Sequence, residues 1–365
     1  MTLKNSYKSI LICTIASIGF MVLLFAFTKK KLPIDTSFRR FYQHISPAKI
    51  QKLDLESNRY YIAGAAEDKI YLGHPSSPLS LTVVDSALQK KQIIRLSIDQ
   101  DSLLIRNPQL RVIPPYFFLM DGTVPYILRG NTKDWKAYSI SETIPYFTDV
   151  QAIDSISLAV SAMSSKTREL ALGTIHLSDS ATITLSHKLL QKQVDGIFDV
   201  DGKLLYNRQR KQLIYTYFYR NQYIVVNDNL QLQLRGKTID SISQAQIKVI
   251  TTKKEKKLAP SLMVNRYSAT SGDHLFINSQ ILGRKEHLVS WKKSTTIDVY
   301  NIEKKKYKFS FYVKDIGENK LKAFYMLDNK LIGLIGNNII SYQLNDRYFD
   351  ESSPPIEPQN LNKNI

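Results

Sequence analysis

Leu321–Gln343 reads LKAFYMLDNKLIGLIGNNIISYQ. Three short runs of β-forming residues, Leu321–Met326, Lys330–Ile335 and Asn338–Gln343, follow one another across turn-permissive residues. The last two meet at Gly336-Asn337, a pair suited to a tight hairpin. The unit then stops one strand short of a four-stranded sheet. A spare strand stands at the other end of the chain: Lys49–Leu55, KIQKLDL, precedes the first regular group. Pairing that strand with the last unit would tie the chain ends together and leave few sheet edges exposed.

Working outward, the same grammar recurs. Tyr60–Ala63, Lys69–Leu72, Leu81–Val84 and Gln92–Leu96 are spaced like one antiparallel meander. Gln212–Tyr219 and Gln222–Val226 pair through Arg220-Asn221, and His274–Asn278 follows the turn Ser271-Gly272-Asp273. First strands are expected near Tyr60, Val112, Ile156, Leu204, Tyr267 and Leu321, 44 to 63 residues apart. Propeller blades repeat at roughly 40–50 residues. The longest step is swollen by the basic loop Lys253–Lys257. The spacing predicts an all-β fold, a six-bladed β-propeller over residues 46–345. Five or seven blades also fit, because residues 100–200 are the least regular. A β-sandwich or two stacked β-domains would match strand count alone; the incomplete last unit with its spare strand favours the ring.

Ahead of these strands, Ser9–Thr28 reads SILICTIASIGFMVLLFAFT, without charge or proline. Twenty such residues match one hydrocarbon core as a helix. A signal h-region is usually shorter and ends in small residues, whereas this run ends in Phe27-Thr28 before Lys29-Lys30-Lys31. The expectation is one transmembrane helix over 9–28, an uncleaved anchor in the cytoplasmic membrane. A short flank, 1–8, precedes it, and a basic membrane-proximal connector, 29–45, follows. The flanking charges conflict over orientation. Lys29–Lys31, Arg39 and Arg40 argue for a cytoplasmic domain, but a basic n-region before an apolar run is how exported anchors begin. The reading adopted is an exported domain. The polar, Pro-bearing stretch 346–365 reads as a disordered tail.

The pattern Gln212–Tyr215, Arg220–Val225 and Thr238–Asp240 resembles the TolB-like or NHL-like six-bladed propellers of bacterial envelope proteins. So does Leu275–Ser279, followed by Ile297–Tyr300 and Tyr307–Tyr312. The resemblance covers roughly residues 46–345 and rests on short strand motifs. Members of that look are mostly of unknown function, so it implies a fold and no catalytic residues. The WD dipeptide repeat of the WD40 subtype is absent.

Composition narrows the chemistry. The 365 residues hold one Cys, so a disulfide framework or thiolate zinc cluster is excluded. His44, His74, His176, His187, His274 and His287 form no metal-binding spacing, and no metal or cofactor is expected. Asp199–Lys203 starts like a calcium loop, but its twelfth position is Arg210 rather than Glu, so Asp-Gly is taken as a hairpin turn. No G-x-S-x-G elbow, Walker A loop or G-x-G-x-x-G occurs, and no catalytic residue can be selected. Net charge is +18, concentrated at Arg208–Lys211, Lys253–Lys257, Arg284-Lys285, Lys292-Lys293 and Lys304–Lys306. Such clusters attract polyanions and anionic lipid head groups, though most lie in predicted turns where Lys is simply solvated. Nucleic acid does not suit an exported, anchored domain. Tyr215, Tyr217 and Tyr219 share one strand face, which points to inter-blade packing. The candidate partner-binding residues are Trp291, Lys292, Lys293, Arg284 and Lys285, an aromatic-basic loop. The preferred function is a membrane-anchored, non-catalytic scaffold for a protein, peptide or glycan partner. The alternative is a hydrolase or lyase whose site assembles across blades at the central channel.

Overall fold

Both faces of every propeller blade are covered by its neighbours, so the inner strands read as nearly unbroken apolar runs rather than alternating ones. Phe117, Phe118, Leu119 and Met120 show how this works. All four are fully buried, yet Phe117 and Leu119 pack on one neighbouring sheet and Phe118 and Met120 on the other.

The computed structural model describes residues 3–28, 33–43, 50–99, 103–252 and 255–349. Two compact units are present, 1–34 and 35–365. The first is the helix α1 (Leu3–Thr28). Its side chains are described continuously from Ile10 to Met21, all of them exposed. That stretch is shorter than a bilayer core, and among the described residues no helix is long and apolar enough to cross a membrane.

In the second unit, β1 (Ile50–Asp54) precedes a first blade of β2 (Tyr61–Ala66), β3 (Lys69–Gly73), β4 (Ser80–Asp85) and β5 (Lys91–Arg95). The second blade holds β6 (Ser97–Ile98), β7 (Gln109–Ile113), β8 (Tyr116–Asp121), β9 (Tyr126–Asn131) and β10 (Lys136–Ser139), with β6 an added parallel strand outside β10. The third comprises β11 (Asp149–Ala152), β12 (Ser157–Met163), β13 (Leu170–His176) and β14 (Thr182–Ser186). The fourth comprises β15 (Gly202–Asn207), β16 (Gln212–Tyr217), β17 (Gln222–Asn227) and β18 (Leu232–Lys237). A hairpin of β19 (Val249–Thr251) and β20 (Lys256–Leu258) leads to the fifth: β21 (Asn265–Ser271), β22 (His274–Ser279), β23 (Ser294–Asn301) and β24 (Lys306–Lys314). The short helix α2 (Leu288–Lys292) lies between β22 and β23. The sixth blade is β25 (Leu321–Leu327), β26 (Lys330–Ile335), β27 (Asn338–Gln343) and β1 itself.

The structure is therefore an all-β six-bladed propeller. The closing strand pairs antiparallel with β27, from Ile50 opposite Tyr342 to Asp54 opposite Asn338. First strands of successive blades adjoin one another around the ring. Each of the six junctions carries its own apolar cluster. The junction of blades 3 and 4 takes Tyr215 and Tyr217, which pack against Ala159 and Leu172. Inner strands approach closely at Gly64, where a Cβ would stand 2.3 Å from the Val112 carbonyl oxygen.

Four sequence expectations need correction. β16 ends at Tyr217, so Tyr219 lies in the turn that follows and does not share the strand face of Tyr215 and Tyr217. The third blade starts at Asp149 rather than near Ile156, because β11 is short and only half apolar; Ile156 stands just before the second strand. Asp201-Gly202 leads into β15 and is not a hairpin turn. Asp199 accepts backbone N–H groups from Gln193, Val194, Asp195 and Gly196, which folds the preceding loop around it. The tail begins later than Asp346: a 3-10 turn covers Asp346–Tyr348, and Tyr348 and Phe349 pack on blade 5. Residues 350–365, and His44, lie outside the described residues.

Candidate functional site

Antiparallel order fixes which loops share a face of the ring. The side where first strands begin, here the near face, carries the connections between second and third strands. The far face carries the turns between first and second and between third and fourth strands.

On the near face, blade 5 has an extended connection, 280–293, that contains α2. All five candidate partner-binding residues lie in it. Arg284, Lys285, Lys292 and Lys293 are exposed, and Trp291 is half-buried. The backbone N–H of Trp291 donates to the His287 carbonyl, and that of Lys293 donates to the Val289 carbonyl. The sequence reading missed two apolar members of the same surface: Leu288 is 45% exposed and Val289 65%. A Leu-Val pair inside a charged loop was the available signal.

The connection is braced by residues 35–43, which are not a loose linker but a strap over blade 5. Asp35 accepts from the Ser241 amide and hydroxyl at 2.7 and 2.9 Å, and its own N–H donates to the Leu282 carbonyl. Burial would push the Asp35 carboxyl up, but hydrogen bonds from Ser37 and Ser241 outweigh it and hold the group below its ordinary value. Phe38 packs with Val264 and Ile281. Arg40 is buried with every N–H engaged. Nε and Nη2 reach Asp298 at 2.7 and 3.0 Å, Nη1 reaches Glu286 Oε1 and the Ile281 carbonyl, and Nη2 also reaches Ser279. Burial opposes this charge, but Asp298 and then Glu286 overcome it, so the guanidinium titrates well above its ordinary value. It also lies 5.9 Å from the centroid of the Trp291 ring. Beyond it, Tyr42 forms a parallel bridge with Ser310 on the outer edge of β24 and stacks on Tyr312 at 4.2 Å.

Charged groups also collect on the first strands towards the ring centre. On the near side, Asp149 of β11 pairs with Lys203 of β15 at 2.7 Å and with Arg111 of β7 at 3.8 Å. Burial would raise the Asp149 carboxyl, but Lys203 and Arg111 bring it below its ordinary value. Asp201 is pushed up to about 6 by burial and then by the Asp149 charge. On the far side, Arg208 donates to the carbonyls of Ala152 and Ile153 in blade 3 and lies over the Tyr206 ring. Burial pulls its guanidinium down, against the opposing pull of Tyr325 in blade 6, Tyr206 and Asp154. Burial, with Asp228, pushes the Tyr206 hydroxyl up to about 12. Arg208 belongs to a basic run visible in the sequence; that it reaches across to the neighbouring blade 3 was not visible. Among the described residues no group of His, Cys, Asp and Glu gathers to hold a metal.

No protein-family model matches the chain, and no curated protein matches it. Solved structures share its fold. A member of the DUF4221 family from Bacteroides vulgatus is 13% identical with a TM-score of 0.50, over 84% of this chain and 98% of that one. A protein of unknown function from Bacteroides thetaiotaomicron is 9% identical with a TM-score of 0.47, over 80% and 76%. YCF48 bound to D1 peptide is 7% identical with a TM-score of 0.46, over 84% and 100%. At this identity the likeness to the DUF4221 protein is one of fold, a six-bladed β-propeller.

Proposed function

We propose that this chain is a membrane-tethered, non-catalytic propeller scaffold of TolB-like or NHL-like kind. On this reading the uncharged run Ser9–Thr28 anchors it in the cytoplasmic membrane. The ring stands on the exported side and holds a protein, peptide or glycan partner at the far-face mouth formed by Tyr206, Arg208 and Tyr325. The observation that carries this reading is the strap. A segment that merely connected a helix to a domain would not bury an arginine in a five-bond socket; this one is built into blade 5 from Asp35 onward. A rigid ring of loops then offers its opposite mouth as the binding surface.

The test is photo-crosslinking from Tyr206 in intact cells, followed by mass spectrometry. The expected result is one reproducible partner, lost in Arg208→Ala while the ring stays folded. Absence of a partner that depends on Arg208 refutes the scaffold at this mouth. A C-terminal reporter that is active only in the cytoplasm refutes the exported side.

One observation favours the enzyme alternative. Asp201, up at about 6 beside a lowered Asp149, is the kind of split carboxylate pair that divides acid and base roles in hydrolases and lyases. A hydrolytic or lyase activity abolished by Asp201→Asn, with the thermal transition intact, would establish it.

A further inference from the structure

We infer that the α2 connection of blade 5 docks on an anionic lipid surface, with Leu288 and Val289 entering the head-group layer. This rests on the tethered reading above and names what the near face meets. First, α2 contributes no buried residue to the blade, yet it holds Leu288 and Val289 to solvent at 45% and 65% exposure. Apolar side chains flanked by cations suit the bilayer interface. Second, the patch carries unopposed positive charge. Arg284, Lys285, Lys292 and Lys293 are exposed, and none pairs with a carboxylate among the described residues. Of the carboxylates beside the connection, Glu286 and Asp298 are taken by Arg40, and Asp315, whose N–H donates to the Lys293 carbonyl, pairs with Lys320. Third, the tether is short. Asp35 lies seven residues after Thr28, a reach of at most ~25 Å when fully extended. Asp35 is hydrogen-bonded to Leu282, and the Arg284 N–H to the Phe38 carbonyl, so the strap ends on this same connection. An anchor in a bilayer therefore keeps this patch within reach of that bilayer's surface. Each Lys or Arg near an anionic leaflet adds about fivefold to its occupancy.

The lone cysteine makes the test direct. Cys13→Ser leaves no thiol, so Val289→Cys can carry an environment-sensitive fluorophore in the full chain. The protein is reconstituted into nanodiscs of phosphatidylcholine, with or without phosphatidylglycerol. Asn229→Cys, in the far-face turn after β17, is the control. The expected result is a blue-shifted label at 289, quenched by brominated lipid in the anionic discs and several-fold less in the neutral ones. Charge reversal at 284, 285, 292 and 293 should abolish that quenching, and position 229 should stay quenched by aqueous iodide throughout. A label at 289 that stays open to iodide in anionic discs overturns the inference. So does one that is protected only when a protein partner is added. Ile18→Cys reports separately on the anchor. Lipid quenching at 18 without quenching at 289 sinks the docking surface alone. No quenching at 18, with salt-sensitive sedimentation on anionic vesicles that needs Val289, sinks the anchor and keeps the surface.

Discussion

Replacing Arg40 with Ala removes five hydrogen bonds and strands two carboxylates in the interior. The Arg40 side chain is 0% exposed, Asp298 2% and Glu286 4%. After the substitution Asp298 keeps only the Ser310 hydroxyl at 2.5 Å from this network. Breaking a buried pair by deleting one partner costs about 3–5 kcal/mol, because the remaining charge has lost its counter-ion and not regained water. Domains of 150–250 residues lose about 2–4 °C per kcal/mol, and this longer chain belongs at the low end, so Tm should fall by ~6–10 °C. Arg40→Lys should recover little, since an ammonium cannot reproduce the planar fork that spans Asp298, Glu286 and Ser279. The contrast is Lys91→Ala. The Lys91–Glu56 pair is just as short at 2.6 Å, but its partners are 34% and 78% exposed, and surface pairs contribute about 0–1 kcal/mol.

Thermal unfolding of the detergent-solubilised full chain, followed by circular dichroism, measures both variants. Limited proteolysis adds a local readout, because a detached strap should be cut within 33–43 before the ring is. The triple change Arg40→Met, Asp298→Asn and Glu286→Gln should restore most of the loss by removing the stranded charges. If Arg40→Ala lowers Tm by no more than Lys91→Ala does, the strap is not held by this network. The observation that carries the tethered reading then loses its physical basis.

Deleting 50–55 should leave the β27 edge unpaired, so size-exclusion profiles should show association that grows with concentration; a monomer at all concentrations would mean β1 is dispensable for closure. Gly64→Ala should cost about 1–3 kcal/mol by urea unfolding, because the new methyl meets the rigid Val112 carbonyl and the inner strands must part. Gly272→Ala meets nothing within 4 Å but forces φ of +52° on alanine, so about 1 kcal/mol is expected there. Stability against pH should show two opposed carboxylates. Burial would raise Asp121, but hydrogen bonds from Thr123, Asn107 and Arg106 hold it low. Its contribution is present above the unfolded value and lost as pH falls through the folded one. Asp201 sits at about 6, so its contribution is present below the unfolded value and lost as pH rises through about 6. Asp201→Asn should flatten that fall and raise the urea midpoint at neutral pH; an unchanged profile would show that burial does not raise Asp201.

The blades were legible because strand formation and turn chemistry are local. Gly336-Asn337 marks a hairpin whatever surrounds it, and the missing fourth strand of the last unit required Ile50–Asp54 to supply it. Where local signal was thin, the reading slipped. Asp149–Ala152 is too short and polar to announce a strand, so the sequence pattern first becomes recognisable at the second strand of the third blade. The site was harder, since a cation looks alike in sequence whether it is solvated or enclosed. Arg39 and Arg40 are adjacent, yet one is exposed and the other fills a socket built by residues some 240 to 260 positions away.

The same limit governs the charge clusters, and here topology supplies what sequence withholds. Arg208–Lys211 and Lys304–Lys306 follow the first and third strands of their blades, so antiparallel order sends both to the far face. Arg284-Lys285 and Lys292-Lys293 lie between second and third strands and therefore emerge on the near face. On the far face Arg208 and Arg210 are engaged by their side chains, while Lys211 and Lys304–Lys306 are exposed. Arg208 reaches across to the third blade, Arg210 pairs with Asp273, and the amide of Lys304 is held by Asn301. On the near face the acids beside the loop are taken by other cations, Glu286 and Asp298 by Arg40 and Asp315 by Lys320. The order of strands thus divides the excess charge between the faces: the far face ties Arg208 and Arg210 into the ring, and the near face presents its cations with two apolar side chains.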